Sequence, residues 1–267
     1  MLKTEEEIEN WLNKHKIKNY IINPDLTVDV NGSVNLSCRE IKEFPFKFGI
    51  IRGDFDCYKN NLSSLKNSPE IIIGGFYCHE NNLIDLEYCS KEIGGNFDCS
   101  FNKLTSLEYC PKKIGGNFYC SNNNLTSLEY CPKVIKFDFD CSKNKLTTLK
   151  HCPEEVGLGF YCYNNQLTSL EHCPKEIEGS FYCHNNKLTS LKYLPLKISN
   201  LYCSYNNLTK ESLTDFNSDV EKNLISDFGD KEEFLMKVKK QKIIKEKEKL
   251  TKIITSTENG QLIKKRL

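Results

Sequence analysis

The sequence lacks the features that mark several large classes of protein. Its 37 basic and 36 acidic residues leave a formal net charge of +1, so the overall charge indicates neither a nucleic-acid nor a membrane partner. No run of about 18 apolar residues predicts a membrane span. The first residues, Met1 to Glu7, lack the apolar core of a signal peptide. We therefore expect an intracellular protein that does not bind membranes.

The motifs of common enzyme classes are also missing. There is no Gly-rich phosphate loop, no nucleophile beside a positioned base and no Cys-x-x-Cys pair with the spacing of a zinc finger. We predict that the protein is not an enzyme and uses neither a cofactor nor a metal.

What the sequence has in abundance is one repeated pattern, Phe-x-Cys-x-x-Asn-x-Leu-x-x-Leu. Phe97, Cys99, Asn102, Leu104 and Leu107 form one copy. The interval is 21 residues until the last step, which is 20. The nine aligned first residues are Val34, Phe55, Phe76, Phe97, Phe118, Phe139, Phe160, Phe181 and Leu201. A period of this length is typical of a solenoid, in which each unit packs only on its neighbours.

The pattern resembles the leucine-rich repeat, with Phe and Cys in two of its apolar positions. The short form, with Leu-Thr-Ser-Leu followed by Cys-Pro, is similar to the repeats of secreted bacterial effectors. Trp-Leu near the start, then Ile-Lys-Asn-Tyr, Leu-Thr-Val-Asp-Val and Phe-Lys-Phe-Gly, give a closer resemblance to leucine-rich-repeat proteins of large tailed bacteriophages. This resemblance implies a protein of the host cytoplasm or of the virion.

The expected fold is a leucine-rich-repeat solenoid with a parallel β-sheet on the concave face, an irregular convex side and α-helical caps at both ends. We divide the chain into an N-terminal cap over 1–33, about nine units of 20–21 residues over 34–209, and a basic, helical C-terminal cap or tail over 210–267. In the longer units an apolar residue such as Ile51 lies four positions before the strand, with a glycine such as Gly53 between, which predicts a tight bend.

The two predicted caps differ in chemistry. Thr4 to Glu7 reads as a capping box that opens a helix over about 4–16, and Asn23-Pro24-Asp25 reads as the turn of a hairpin. At the other end, helical spacing predicts one or two helices over 231–256. Residues 231–267 carry twelve basic and five acidic residues, a net +7, so the +1 of the whole chain leaves −6 for residues 1–230.

Cysteine is the composition outlier, with 14 residues, of which 13 form two columns. One column, from Cys57 to Cys203, points into the core, and the other, from Cys89 to Cys173, precedes Pro or Ser at the convex bend. Three interpretations stay open at this point: reduced thiols serving as small core hydrophobes, disulfides, and a metal site.

We predict that the positions facing outward from the concave sheet bind a partner. Acid and tyrosine alternate there until tyrosine takes over towards the C terminus, where we expect the hot spot. The predicted partner-binding residues are Tyr77, Asp98, Phe101, Tyr119, Asp140, Tyr161, Tyr163, Tyr182, His184, Tyr202 and Tyr205. The competing interpretation is that each tyrosine only covers the face of the sheet.

Two functional hypotheses follow. The first is a non-catalytic module that binds another protein, of host or phage, through the Tyr/Asp/Asn-rich concave face. The second is a structural component of a larger assembly that docks through the basic C-terminal helical segment. That segment has a single arginine and no interleaved aromatic residues, so specific nucleic-acid recognition has little support. The sequence leaves the oligomeric state open.

Overall fold

The computed structural model of the protein describes residues 1–264, with side chains described for residues 1–252. The chain begins with α1 (Glu5–Lys14). Thr4 Oγ1 accepts from the Glu7 amide (3.2 Å), and Glu7 Oε2 accepts from the Thr4 amide (3.2 Å), which confirms the predicted capping box. Ile8 and Leu12 are buried, and Trp11 packs edge-on against Phe46 at 5.2 Å. The helix therefore covers one end of the solenoid core.

The predicted hairpin follows as β1 (Tyr20–Ile22) and β2 (Val28–Val30), which pair antiparallel. Asp25 Oδ1 accepts from the Thr27 amide at 3.0 Å and so holds the turn between them. From β2 onward every further pairing between named strands is parallel.

Ten strands form the concave sheet, in chain order and in parallel. Each is short because the turn after it begins within a few residues. The strands are β3 (Val34–Asn35), β5 (Phe55–Asp56), β7 (Phe76–Tyr77), β9 (Phe97–Asp98), β11 (Phe118–Tyr119), β13 (Phe139–Asp140), β15 (Phe160–Tyr161), β16 (Ser180–Tyr182), β17 (Lys197–Tyr202) and β18 (Asp219–Ile225). Phenylalanine pairs with phenylalanine along the sheet, as in the register Phe97↔Phe118. The protein is a leucine-rich-repeat solenoid, as expected.

A second sheet, which the spacing did not predict, is built mainly from segments that precede concave strands, and its pairings are parallel beyond the antiparallel hairpin of β1 and β2. It contains β1, β2, β4 (Phe48–Ile51), β6 (Ile71–Ile72), β8 (Glu92–Ile93) and β10 (Lys113–Ile114). A separate pair consists of β12 (Val134–Ile135) and β14 (Glu155–Val156). The inward isoleucine or valine of each strand from β2 onward is buried, so both sheets contribute to one core. The remainder of each turn is irregular.

Glycines lie between the two strands of most turns, and their presence or absence explains where the second sheet is continuous. A Cβ on Gly94 or Gly115 would clash with the carbonyl oxygen of the preceding turn. In the turn of β12 both glycine positions carry side chains, those of Lys136 and Phe137, whereas the other turns from Gly53 to Gly179 keep a glycine at one or both. The second sheet is interrupted between β10 and β12 at this point. The predicted bend is present, and its glycines are required by the close approach of adjacent turns.

The core is a column of buried rings beside columns of leucine and cysteine. The six ring pairs from Phe55 to Phe181 have centroid distances of 5.4 to 5.7 Å. The cysteines are free thiols, and most are buried, as the first of the three interpretations predicted. Burial raises the pKa of these thiols, to about 12 for Cys152, so they stay protonated and apolar at neutral pH.

The repeated asparagine ties each turn to the one before it. Asn123 Nδ2 donates to the carbonyls of Cys120 (3.2 Å) and Cys99 (3.0 Å). Asn123 Oδ1 accepts from the Leu104 amide at 3.0 Å. The partners lie in the asparagine's own turn and in the preceding one. Each buried amide is thereby fully engaged in the scaffold.

The C-terminal segment contains a strand where only helix was expected. β18 pairs with β17 in the register Leu201↔Leu224 and Ile198↔Val220, so the expectation of an entirely helical segment over 210–267 is wrong for residues 219–225. Leu224 lies 23 residues after Leu201, so β18 does not follow the 21-residue period. A 3₁₀ helix (Glu211–Asp215) and α2 (Lys231–Lys264) complete the end. Among the described residues no helix has the length and apolar character needed to cross a bilayer.

Candidate functional site

Three columns of side chains cover the outer surface of the concave sheet. Column one follows the buried phenylalanine, column two follows the buried cysteine, and column three precedes the repeated asparagine. Column one contains Asp56, Tyr77, Asp98, Tyr119, Asp140, Tyr161, Tyr182 and Tyr202, all half-buried. Column two contains Tyr58, His79, Ser100, Ser121, Ser142, Tyr163, His184 and Ser204. The predicted site residues lie in these two columns, apart from Phe101 and Tyr205.

Phe101 and Tyr205 belong to column three, where the backbone turns away from the sheet. Their φ angles are 51° and 55°, in the left-handed region that bulky residues rarely adopt. The side chains are 52% and 71% exposed. They stand at the rim of the concave face rather than on its floor.

In the turns of β5 to β13, which we call the acidic half, aspartates of column one bind their own turns. Asp98 Oδ1 accepts from the Ser100 amide (3.0 Å) and hydroxyl (2.6 Å). Asp140 Oδ1 accepts from the Ser142 amide at 2.8 Å. Burial raises the pKa of the Asp140 carboxyl, because the charged form loses hydration. Asp98 Oδ2 lies 3.3 Å from His79 Nδ1, and the Asp140 carboxylate is half-buried, so both acids are partly committed to the scaffold.

The turns of β15 to β17, which we call the aromatic half, place rings against rings. Tyr161 stacks on Tyr182 at 4.9 Å with an interplanar angle of 15°. Tyr182 stacks on Tyr202 at 4.2 Å and 3°. Since the ring faces cover one another, a partner would meet their edges and hydroxyls. Burial, with help from Asp138 and Tyr182, raises the pKa of Tyr161 to about 12, so the hydroxyl is protonated at neutral pH.

His184 joins this stack from column two. Its ring lies on Tyr163 at 4.6 Å and meets Tyr182 edge-on at 6.2 Å. Burial lowers the pKa of His184, which makes the imidazole neutral at pH 7. Its Nδ1 is buried without a hydrogen-bond partner. A similar pair, Tyr58 on His79 at 4.7 Å, lies in the acidic half.

The remaining predicted residues, Tyr77 and Tyr119, alternate with the aspartates. The Tyr77 ring lies over Gly75, where an added Cβ would come within 2.8 Å of the ring. Burial and the carboxylates of Asp138 and Asp98 raise the pKa of Tyr119. Thus the structure gathers Tyr161, Tyr163, Tyr182, His184 and Tyr202 into one cluster and leaves the other predicted residues spread along the face.

A second series of exposed aromatic residues, which was not predicted as a binding surface, lies at the other left-handed bend of each turn. It consists of Tyr88, Tyr109, Tyr130, His151, His172 and Tyr193, with φ angles of 65° to 71°. Tyr88, Tyr109 and Tyr130 are 44% to 55% exposed. The residue before the convex-side Cys or Leu was the available signal, since it is aromatic or imidazole in each of these units. Open grooves of about 1150 and 860 Å³ border this series beside β12 and β14.

No group of three or more His, Cys, Asp or Glu in the described part of the chain has the geometry of a metal site. No protein-family model and no curated protein matches the sequence. The leucine-rich repeat domain of APL1B is similar over 78% of this chain and 76% of that one, with 18% identity and a TM-score of 0.44. YopM from Yersinia enterocolitica WA-314 is similar over 73% and 55% of the two chains, with 17% identity and a TM-score of 0.36. These likenesses are too weak to carry a function, and a phage origin stays a prediction.

Proposed function

We propose that this protein is a non-catalytic interaction module that binds a partner protein through the aromatic half of its concave face. The observation that supports this most strongly is the continuous stack Tyr161–Tyr182–Tyr202 with Tyr163–His184 beside it. The scaffold does not require these rings, because Asp56, Asp98 and Asp140 occupy equivalent positions on the same backbone.

The stack is suited to binding because its side chains are ordered before a partner arrives. A tyrosine held between two rings has little rotamer freedom left to lose, so association costs less entropy. Tyrosine also offers a large apolar edge and a hydroxyl that donates or accepts, which is why it is common among hot-spot residues. The neutral His184 adds one further donor or acceptor.

The test is capture of partner proteins from extracts of the organism that encodes the chain. The bait variants are wild type, Tyr161→Ala/Tyr182→Ala/Tyr202→Ala, and the matched control Tyr88→Ala/Tyr109→Ala/Tyr130→Ala. The control removes three exposed tyrosines from outside the concave face. We expect wild type and control to recover the same partner and the first triple variant to lose it by about 30-fold or more, as for hot-spot residues of 2 kcal/mol or above.

Thermal unfolding must show that each triple variant is folded before capture is compared. If the concave triple variant recovers the partner as well as wild type does, the proposal is wrong.

A second candidate is a structural role in an assembly that docks through α2. It is favoured by the exposure of Met236, Ile243 and Leu250 on a helix that is otherwise rich in lysine. Removal of residues 239–267 would test it without removing Phe234, Val238 or β18, on which the end of the solenoid depends. Loss of association in this truncation, with no effect of the concave triple variant, would favour the second candidate.

A further inference from the structure

The helix α2 is anchored to the end of the solenoid by one face. Phe234 is fully buried and packs on Phe216 at 5.0 Å, and Val238 is buried beside it. Further along, Lys242 Nζ donates to the Phe216 carbonyl (2.9 Å) and Lys245 Nζ to Thr214 Oγ1 (3.3 Å). These contacts fix the direction of the helix, which packs on the 3₁₀ helix and β18 rather than over its own concave face.

The opposite face of α2 carries an apolar stripe. Met236, Ile243 and Leu250 recur every seven residues and lie about 160° to 200° around the helix from Phe234. Their exposed fractions are 70%, 45% and 54%. Among the described residues no intrachain packing accounts for apolar side chains at this spacing on the outer face, so the stripe is available as a contact surface.

The charge around the stripe limits what can cover it. Residues 237–252 contain eight lysines and two glutamates, a net charge of +6. Lys239, Lys240 and Lys247 lie on either side of the stripe. Pairing of two copies of α2 would place these lysines against each other, which is unfavourable. The covering surface must combine apolar area with negative charge.

The concave face of this same chain has both properties. Asp98 and Asp140 lie in column one at alternate turns, and Tyr161 and Tyr182 continue the column. Four steps from Asp98 to Tyr182 span about 19 Å at the spacing of neighbouring strands. The stripe from Met236 to Leu250 spans about 21 Å at the rise of an α-helix. The two surfaces therefore carry opposite charges and have similar lengths.

We propose that α2 of one copy lies along the concave face of a second copy. The lysines beside the stripe approach the carboxylates of Asp98 and Asp140, and the stripe covers the edges of the tyrosine rings. This inference rests on the proposed function in one respect, because it uses the same concave face. It identifies a second copy of the chain as one occupant of that face.

Sedimentation equilibrium of the full chain, at low and high salt, measures this self-association. The helix variant is Lys239→Glu/Lys240→Glu/Lys247→Glu, and the face variant is Asp98→Lys/Asp140→Lys. The matched control, Lys103→Glu/Lys145→Glu/Lys187→Glu, changes the net charge equally at exposed lysines of the solenoid. Circular dichroism confirms that each variant is folded.

We expect wild type and control to associate, with an association that weakens as salt screens the charges. The helix variant and the face variant alone should each associate about tenfold or more weakly, because several ion pairs are lost together. An equimolar mixture of the two should regain a heterodimer, since reversed charges then face each other. This recovery cannot arise from misfolding of either variant.

Wild type that stays monomeric at high concentration and low salt would overturn the inference, as would a helix variant that associates like wild type. A monomer that instead binds vesicles containing phosphatidylserine through these lysines would assign α2 to a lipid surface and also overturn it. The proposed function fails separately, through the capture experiment with the concave triple variant.

Discussion

The acidic half and the aromatic half of the concave face share one repeating backbone and, apart from Leu201 in place of phenylalanine, one pattern of buried residues, and they differ most in what projects outward. In the acidic half Asp98 and Asp140 accept hydrogen bonds from the following serine amide and so reinforce their own turns. In the aromatic half Tyr161, Tyr182 and Tyr202 stack on one another and leave their turns without that bond. One half stabilises itself locally, and the other presents an ordered surface.

The scaffold beneath the two halves can be tested first, because it gives the largest effect. Phe97→Ala in the acidic half and Phe160→Ala in the aromatic half each remove a fully buried ring. We expect each to lower the free energy of unfolding by about 3–5 kcal/mol, as for other buried Phe→Ala changes. Urea denaturation of both variants measures it. A difference between them larger than about 1.5 kcal/mol, half of the smaller expected loss, would show that the two halves are not built alike.

The stacked rings provide the next contrast. Tyr182→Ala removes two stacked ring contacts and the edge contact with His184, whereas Tyr119→Ala removes a tyrosine whose column neighbours are Asp98 and Asp140. At about 0.5–1.5 kcal/mol for each aromatic pair, Tyr182→Ala should be more destabilising by roughly 1–3 kcal/mol. Urea denaturation of both variants measures this difference in the free energy of unfolding. Equal losses would mean that the stack contributes nothing beyond burial.

Alkaline titration tests the aromatic half through the pKa of one of its tyrosines. The pKa of Tyr161 is raised to about 12, above that of an unfolded tyrosine near 10. The folded state therefore holds this proton more tightly, and its contribution to stability is present below pH ~10 and is lost as pH rises towards 12. Phenolate absorbance should show one fewer late-titrating tyrosine in Tyr161→Phe. An unchanged late phase would contradict this assignment.

The smallest expected effect lies in the acidic half. Burial raises the pKa of Asp140, so its contribution to stability is present below the unfolded pKa of about 3.9 and is lost as pH rises through the folded value. Asp140→Asn keeps an acceptor for the Ser142 amide and removes the charge. We expect a gain of about 0.5 kcal/mol or less at pH 7, typical of surface changes, which disappears in acid. A loss of stability at pH 7 would show that the carboxylate stabilises its turn.

Much of the scaffold could be predicted because each repeat imposes the same requirement on its neighbour. Phe97 must stack on Phe118, and Asn123 must bond the preceding turn, so the residues recur with the fold. β18 escaped prediction because a 23-residue step replaced the period, although Val220 and Leu224 keep the four-residue spacing of Ile93 and Phe97. Because the preceding loop is longer, the strand did not fall on the repeat period and was not predicted, although its apolar pattern is intact.

The site was less predictable than the scaffold. The outward columns followed from alternation along the strand, but the sequence did not show that the rings of Tyr161, Tyr182 and Tyr202 stack on one another. Nor did it reveal that Asp98 and Asp140 bond their own turns. These differences depend on the rotamers of neighbouring side chains one turn away, which the period alone does not encode.

Hydroxyl-radical footprinting of the tyrosines, with and without the captured partner, tests the central claim most directly. The account predicts that Tyr161, Tyr182 and Tyr202 become protected when the partner is bound, while Tyr88, Tyr109 and Tyr130 keep their reactivity. Protection of the second set with no change in the first would contradict the claim that the aromatic half is the binding surface.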